Sequence, residues 1–233
     1  MKAFALGVAI LSSFAQIAAA AMTPACVPGT LTDYIALGSG GCYIGNDQLN
    51  SFQTLSNLAG ATPISPASIS VTPSGSDTNP TLTFNLNSTA PTGSPTEVRF
   101  TYRVGGTNIT GSSITLSGTS VTGDGGVTDA QNICRGGTFG ADGISGCTGT
   151  PSSLVVLNSG ADATTFPGVG FLKITDDLTI DAGLSGTASG AHFVDQFTAS
   201  AVPEPSMIPV LLSGLGLAAY FKRRSVVGAV SKI

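Results

Sequence analysis

The strongest constraint on this chain is a two-residue rhythm. Ile69 and Val71 alternate with small polar residues in ASISVTP. Leu82, Phe84 and Leu86 alternate in TLTFNLN, Val98, Phe100, Tyr102 and Val104 in EVRFTYRV, and Ile114 and Leu116 in SITLS. Successive side chains of a strand point to opposite faces, so each run buries one face of a pleated sheet and wets the other. Gly, Pro, Ser or Asn bounds each run, and the runs recur about every 10–16 residues, a spacing suited to antiparallel sheets. The signal returns in SLVVLN, GFLKIT, DLTIDAG and HFVDQFTAS. These stretches predict an all-β domain, an antiparallel β-sandwich of jelly-roll or Ig-like type with about 8–10 strands. Before them, Asp33–Leu37 and Cys42–Ile44 read as short strands around a Gly-rich turn. In Asp47–Leu58 the apolar residues Leu49, Phe52, Leu55 and Leu58 recur every third position, which fits a strand or a short helix. Residues 118–152 lose the pattern and read as a long Gly- and Asp-rich loop. Nothing reads as a βαβ unit.

Charge is scarce and one-sided. Charged residues make up 9% of the chain, Trp is absent, and Gly numbers 31 of 233. All 13 acids fall between Asp33 and Glu204, where the bases are Arg99, Arg103, Arg135 and Lys173, a net charge of −9. Such a domain repels phosphate backbones, which argues against nucleic acid as a partner.

Both ends read as processing segments. Residues 1–21 carry Lys2, an apolar run and then Ala18–Ala21, the pattern of a secretory signal cleaved after Ala20 or Ala21. That leaves residues 22–200 as the exported β domain. Residues 201–206 form a linker stiffened by Pro203 and Pro205. The uncharged run 207–221 would span about 22 Å as a helix, short of a hydrocarbon core of about 30 Å. Lys222, Arg223 and Arg224 open the basic tail 222–233 and hold that end in the cytoplasm. A short apolar helix beside a rigid, accessible linker suits a device that is recognised and removed.

The order of these parts resembles a known tail. Val202, Pro203, Glu204, Pro205 and Ser206, then LLSGLGLAAYF, then Lys222-Arg223-Arg224, look like the PEP-CTERM sorting tail of exported bacterial proteins. The resemblance implies cutting near Pro-Glu-Pro by an exosortase-type enzyme after transient retention in the inner membrane. It further implies a bacterium with an outer membrane, delivery to the cell surface or extracellular matrix, and association with exopolysaccharide.

Export places Cys26, Cys42, Cys134 and Cys147 where disulfides persist. Four cysteines allow three connectivities, and the local pairs Cys26–Cys42 and Cys134–Cys147 are favoured. Zinc is disfavoured, since there is no C-x-x-C and His192 is the one histidine. Calcium has candidates in Asp124, Asp129 and Asp142 of the Gly-rich loop and in Asp176, Asp177 and Asp181, although neither group matches an EF-hand. Asp176 and Asp177 are strand neighbours and should face opposite ways, so they make a poor hydrolase pair. No Ser-His-Asp arrangement or G-x-S-x-G elbow is present. The sequence therefore points to a non-catalytic surface or matrix protein without a resident cofactor. The contrasting expectation is an adhesin or carbohydrate-binding module, calcium-assisted or not.

Overall fold

The computed structural model describes residues 24–190 and 192–200. The signal segment 1–21, the linker 201–206, the membrane run 207–221 and the basic tail 222–233 lie outside them. Among the described residues no helix is long and apolar enough to cross a membrane.

In chain order the elements are β1 (Gly29–Thr30), α1 (Leu31–Ala36), β2 (Cys42–Ile44), β3 (Asp47–Thr54) and β4 (Thr62–Pro63). After a 3₁₀ turn come β5 (Ser70–Ser76), β6 (Asn79–Asn85), β7 (Thr89–Ala90), β8 (Thr96–Ser117) and β9 (Ser120–Thr122). The chain continues through β10 (Gly126–Arg135), β11 (Thr150–Leu157), β12 (Gly160–Asp181), β13 (Thr187–Ser189) and β14 (His192–Ala199). Eleven strands join one curled sheet, antiparallel except for β4 beside β8, and β7, β13 and β9 form a small second sheet.

The 22-residue strands β8 and β12 are the spine. They pair from Thr96–Ile180 to Leu116–Gly160. One half of this pair carries β3 and β2 on the β8 side and β10 and β11 on the β12 side. The other half of β8 carries β14, followed by β6, β5 and β1. The spine shifts register between Thr165 and Phe171, where the sheet turns its second half over the first. Two glycines permit the crowding there. A Cβ on Gly106 would collide with Asp47 Oδ1, and one on Gly168 with Asn108 Oδ1.

The facing halves enclose an aromatic core. Phe84 of β6 stacks on Phe193 of β14 at 4.7 Å and meets Phe100 of β8 at 5.1 Å. Phe52 of β3 stacks on Tyr102 of β8 at 4.9 Å, and Phe197 of β14 meets Tyr102 edge-on. Such pairs add about 0.5–1.5 kcal/mol each beyond burial.

The structure corrects three local expectations and decides a fourth. Asp33 does not open a strand: α1 begins in a capping box in which Thr30 Oγ1 accepts from Asp33 N at 3.2 Å and Asp33 Oδ2 accepts from Thr30 N at 2.7 Å. Leu31 and Tyr34, three apart, bury the inner face of that helix. Residues 47–54 are strand, and the third-position spacing has a cause. Ser51 sits at φ 56°, and the β3–β8 register shifts between Asn50 and Gln53, so Leu49 and Phe52 both face the core. Residues 118–152 are not one loop, because they contain β9 and ten-residue β10. Finally, EVRFTYRV and SITLS belong to one strand, which runs on through Gly105, Gly106 and Gly111, and GFLKIT and DLTID, separated only by Asp176, belong to another.

Truncating Phe84 to Ala should cost about 3–5 kcal/mol in urea unfolding, because its cavity opens between both halves of the sheet. Val155→Ala, at a residue 51% exposed on edge strand β11, should stay within about 0.5 kcal/mol. Equal losses at the two sites would contradict this placement of the core.

Candidate functional site

The inward phase of β10, β12 and β14 is interrupted by acid. In β10 the inward residues are Val127, Asp129, Gln131 and Ile133. In β12 they run Leu172, Ile174, Asp176, Leu178 and Ile180, and in β14 they are Phe193, Asp195 and Phe197. Asp129, Asp176, Asp195 and Gln131 are each 0% exposed. Tyr102 of β8, also fully buried, donates its hydroxyl to Asp195 Oδ2 at 2.5 Å. Ser112 of β8 donates to Gln131 Oε1 at 2.7 Å. The cluster thus draws one or two side chains from each of β8, β10, β12 and β14 and ties the two halves of the sheet together.

Three buried carboxylates without a cation cannot all stay ionised. Burial, then Asp195, then Asp129 push the Asp176 carboxyl well above the usual carboxylate range. Burial, then Asp195 and Asp177, do the same to Asp129. Asp195 rises to about 6 through burial, held back by the Tyr102 hydroxyl and the nearby Asp176 carboxyl. Burial and its acidic neighbours therefore favour the protonated form of Asp176. Both oxygens of Asp129 and of Asp176, Asp195 Oδ1 and Gln131 Nε2 have no hydrogen-bond partner. The network is sealed from solvent, so it can store protons but cannot receive a substrate.

The remaining calcium candidates are dispersed. Asp177 faces out and binds Arg99 through Nε at 3.0 Å and Nη2 at 2.6 Å. Glu97, fully buried, accepts from Arg99 at 3.3 Å and from Leu58 N at 2.5 Å. Asp124 caps the turn before β13 by accepting from Leu184 N and Ser185 N, which lowers it to about 2. Asp142 likewise accepts from Ile144 N and Ser145 N, and Asp181 from Gly183 N. Of the six, Asp129 and Asp176 share the buried cluster, and Asp124 and Asp181 both cap the 183–185 turn. Among the described residues no group of three His, Cys, Asp or Glu side chains is arranged to hold a metal ion.

The cysteines pair locally, Cys26 with Cys42 and Cys134 with Cys147. His192 Nε2 lies 2.6 Å from Ser117 Oγ across the β8–β14 ladder. The hydrogen bonds of the described residues include no carboxylate on that histidine, so a nucleophile–base–acid triad is not assembled there. Sequence reasoning missed Asp195, Gln131 and Tyr102 as partners of Asp129 and Asp176. The available signal was phase: each of these acids occupies an apolar position of its strand.

The raised carboxyls set the sign of a pH dependence. A folded state that binds more protons than the unfolded chain loses stability as pH rises between the two pKa values. For Asp195 that window runs from about 4 to about 6. Asp129, Asp176, Glu97 and Asp47 act in the same direction. The lowered surface acids Asp33, Asp124 and Asp142 lose their contribution only on acidification. Thermal melts should therefore show higher stability at pH 5 than at pH 8, by on the order of a few kcal/mol. Asp176→Asn should raise stability at pH 8 and flatten the profile. A profile that rises from pH 5 to pH 8 would contradict the assignment.

Comparison with known proteins adds two loose structural likenesses. TmCBM61 in complex with β-1,4-galactotriose is 17% identical, with 53% of this chain and 71% of that chain covered and a TM-score of 0.28. Arabinose-bound MgGH51 α-L-arabinofuranosidase is 15% identical, with 76% of this chain but 25% of that chain covered and a TM-score of 0.26. Comparison with curated proteins gives no match. Val202, Pro203, Glu204, Pro205, Ser206, Lys222, Arg223 and Arg224 lie outside the described residues, but their sequence is diagnostic. The chain carries a match to the PEP-CTERM protein-sorting motif over residues 201–225.

Proposed function

We propose that this is an exported, non-catalytic protein of the cell surface or extracellular matrix, delivered through its tail and associated there with exopolysaccharide. The observation that carries the reading is the sorting motif at residues 201–225. Its parts have separate roles in this scheme. The Pro-Glu-Pro linker offers extended backbone to an exosortase-type enzyme. The run 207–221 grips the inner membrane briefly, and Lys222, Arg223 and Arg224 fix its orientation.

The domain supports the same reading in three ways. Both disulfides suit an oxidising compartment outside the cytoplasm. Its strongly perturbed acids are sealed in the core, where no substrate meets them. Its surface carboxylates accept from turn amides or from Arg99, as structural groups do.

Mass spectrometry of the protein recovered from the surface fraction of the native host should find a carboxyl terminus near Pro203–Pro205. Replacing Lys222, Arg223 and Arg224 together by Gln should leave uncut chain in the inner membrane. Surface protein that still ends at Ile233 would contradict the proposal.

A further inference from the structure

Residues 24–200 hold 12 acids and four bases, and all four bases lie on β8, β10 and β12. Two of them have local partners that account for their position. Arg99 is held by Asp177 and Glu97. Arg135 lies 5.0 Å over the Phe166 ring and donates to Thr150 O at 3.4 Å. Arg103 and Lys173 differ. They are directly opposite each other on β8 and β12, on the outer face of the sheet. The salt bridges of the described residues are both made by Arg99, so neither of these two cations has a carboxylate within 4.0 Å.

Like charges directly opposite in a ladder destabilise it, and here both side chains are only part-exposed. Burial and then Arg103 lower the Lys173 ammonium below its usual value. A chain with three times as many acids as bases had ample means to neutralise the pair and did not. The surroundings hold the cations in place. The guanidinium of Arg103 stacks over Phe171 at 4.5 Å, alongside Gly105. Lys173 Nζ reaches Ser51 O at 3.5 Å. Ser51 is the left-handed residue at the β3 bulge, a backbone state that non-glycine residues adopt at a cost. Asn50, paired with Arg103 across the ladder and 5% exposed, leaves its Oδ1 without a partner. On the far side, Cys134 pairs with Lys173 across the ladder and anchors the disulfide-closed loop.

We propose that Arg103 and Lys173 form a binding site for the carboxylate groups of an acidic polysaccharide. The planar fork of a guanidinium fits a carboxylate through two parallel hydrogen bonds, and stacking on Phe171 fixes that fork before binding. The ammonium of Lys173 adds a point charge from the neighbouring strand. An anion between them converts a repulsive pair into a bridged one, so binding relieves a cost already present in the free protein. A singly charged carboxylate suits the site better than a doubly charged phosphate, because the rest of the domain is acidic and repels the larger charge. The proposal rests on the matrix reading above for where such a polymer is met, but its test does not.

The test is calorimetric titration of the exported protein with polygalacturonate, with neutral dextran and inorganic phosphate as comparators. Polygalacturonate should bind, more weakly at high salt, and dextran should not. Arg103→Gln and Lys173→Met should each weaken binding about tenfold, the loss expected for one charge-assisted contact. Arg135→Gln should leave it unchanged. In melts without ligand, Lys173→Met should hold or raise the midpoint, since it removes a repulsion. Absence of polygalacturonate binding, affinity in the Arg103 and Lys173 variants equal to that of the unsubstituted protein, or phosphate binding as tightly would overturn the assignment. A midpoint several degrees lower in Lys173→Met would overturn its premise. The titration reads affinity wherever the protein is delivered, so its failure leaves the sorting reading standing, and a failure of sorting leaves the site standing.

Discussion

The structure depends on a group of carboxyls whose ionisation the fold opposes. Asp129, Asp176 and Asp195 come from three strands, and Tyr102 and Gln131 complete the contacts between the two halves of the curled sheet. A buried ionised carboxylate without a cation costs more than a small domain can spare. Protonation relieves that cost, and Tyr102 and Ser112 donate to Asp195 and Gln131. The core is therefore a polar cluster set inside an aromatic shell of Phe84, Phe100, Phe193 and Phe197. Such a network is directional where apolar packing is not, and it helps fix which halves of β8 and β12 face each other.

Where polarity and phase agreed, the fold could be read in the residues. Val98, Phe100, Tyr102 and Val104 announce their strand, and all four are buried in it. The opposite orientations expected for Asp176 and Asp177 appear directly, one in the core and one on Arg99. Where polarity and phase conflicted, reading failed. β10 carries Asp129 and Gln131 at inward positions, so its alternation vanishes into what looks like loop. The bulge at Ser51 makes a strand imitate a helical period. The capping box at Thr30 and Asp33 is visible in the sequence, but helix α1 is only six residues long. The continuity of β8 and β12 through their glycines depends on pairing between residues far apart, which no local pattern contains.

The site was legible in pieces. The sorting tail is a linear motif, and its three parts need no fold to be recognised. The disulfide pairs followed from spacing within short loops. The face bearing Arg103 and Lys173 was not visible, because two bases seventy residues apart become neighbours only through the β8–β12 ladder. These levels join in one account: an acidic, sparsely charged sheet protein that keeps its acids inside or capped and carries a sorting motif at residues 201–225.

The protonation of the core tests this account most directly. Carboxyl carbon shifts of the Asp side chains, followed by NMR across pH, would report each group separately. Asp129 and Asp176 should titrate well above the usual carboxylate range while Asp124 and Asp142 titrate below it. Titration of all four near about 4, the value of a free side chain, would contradict it.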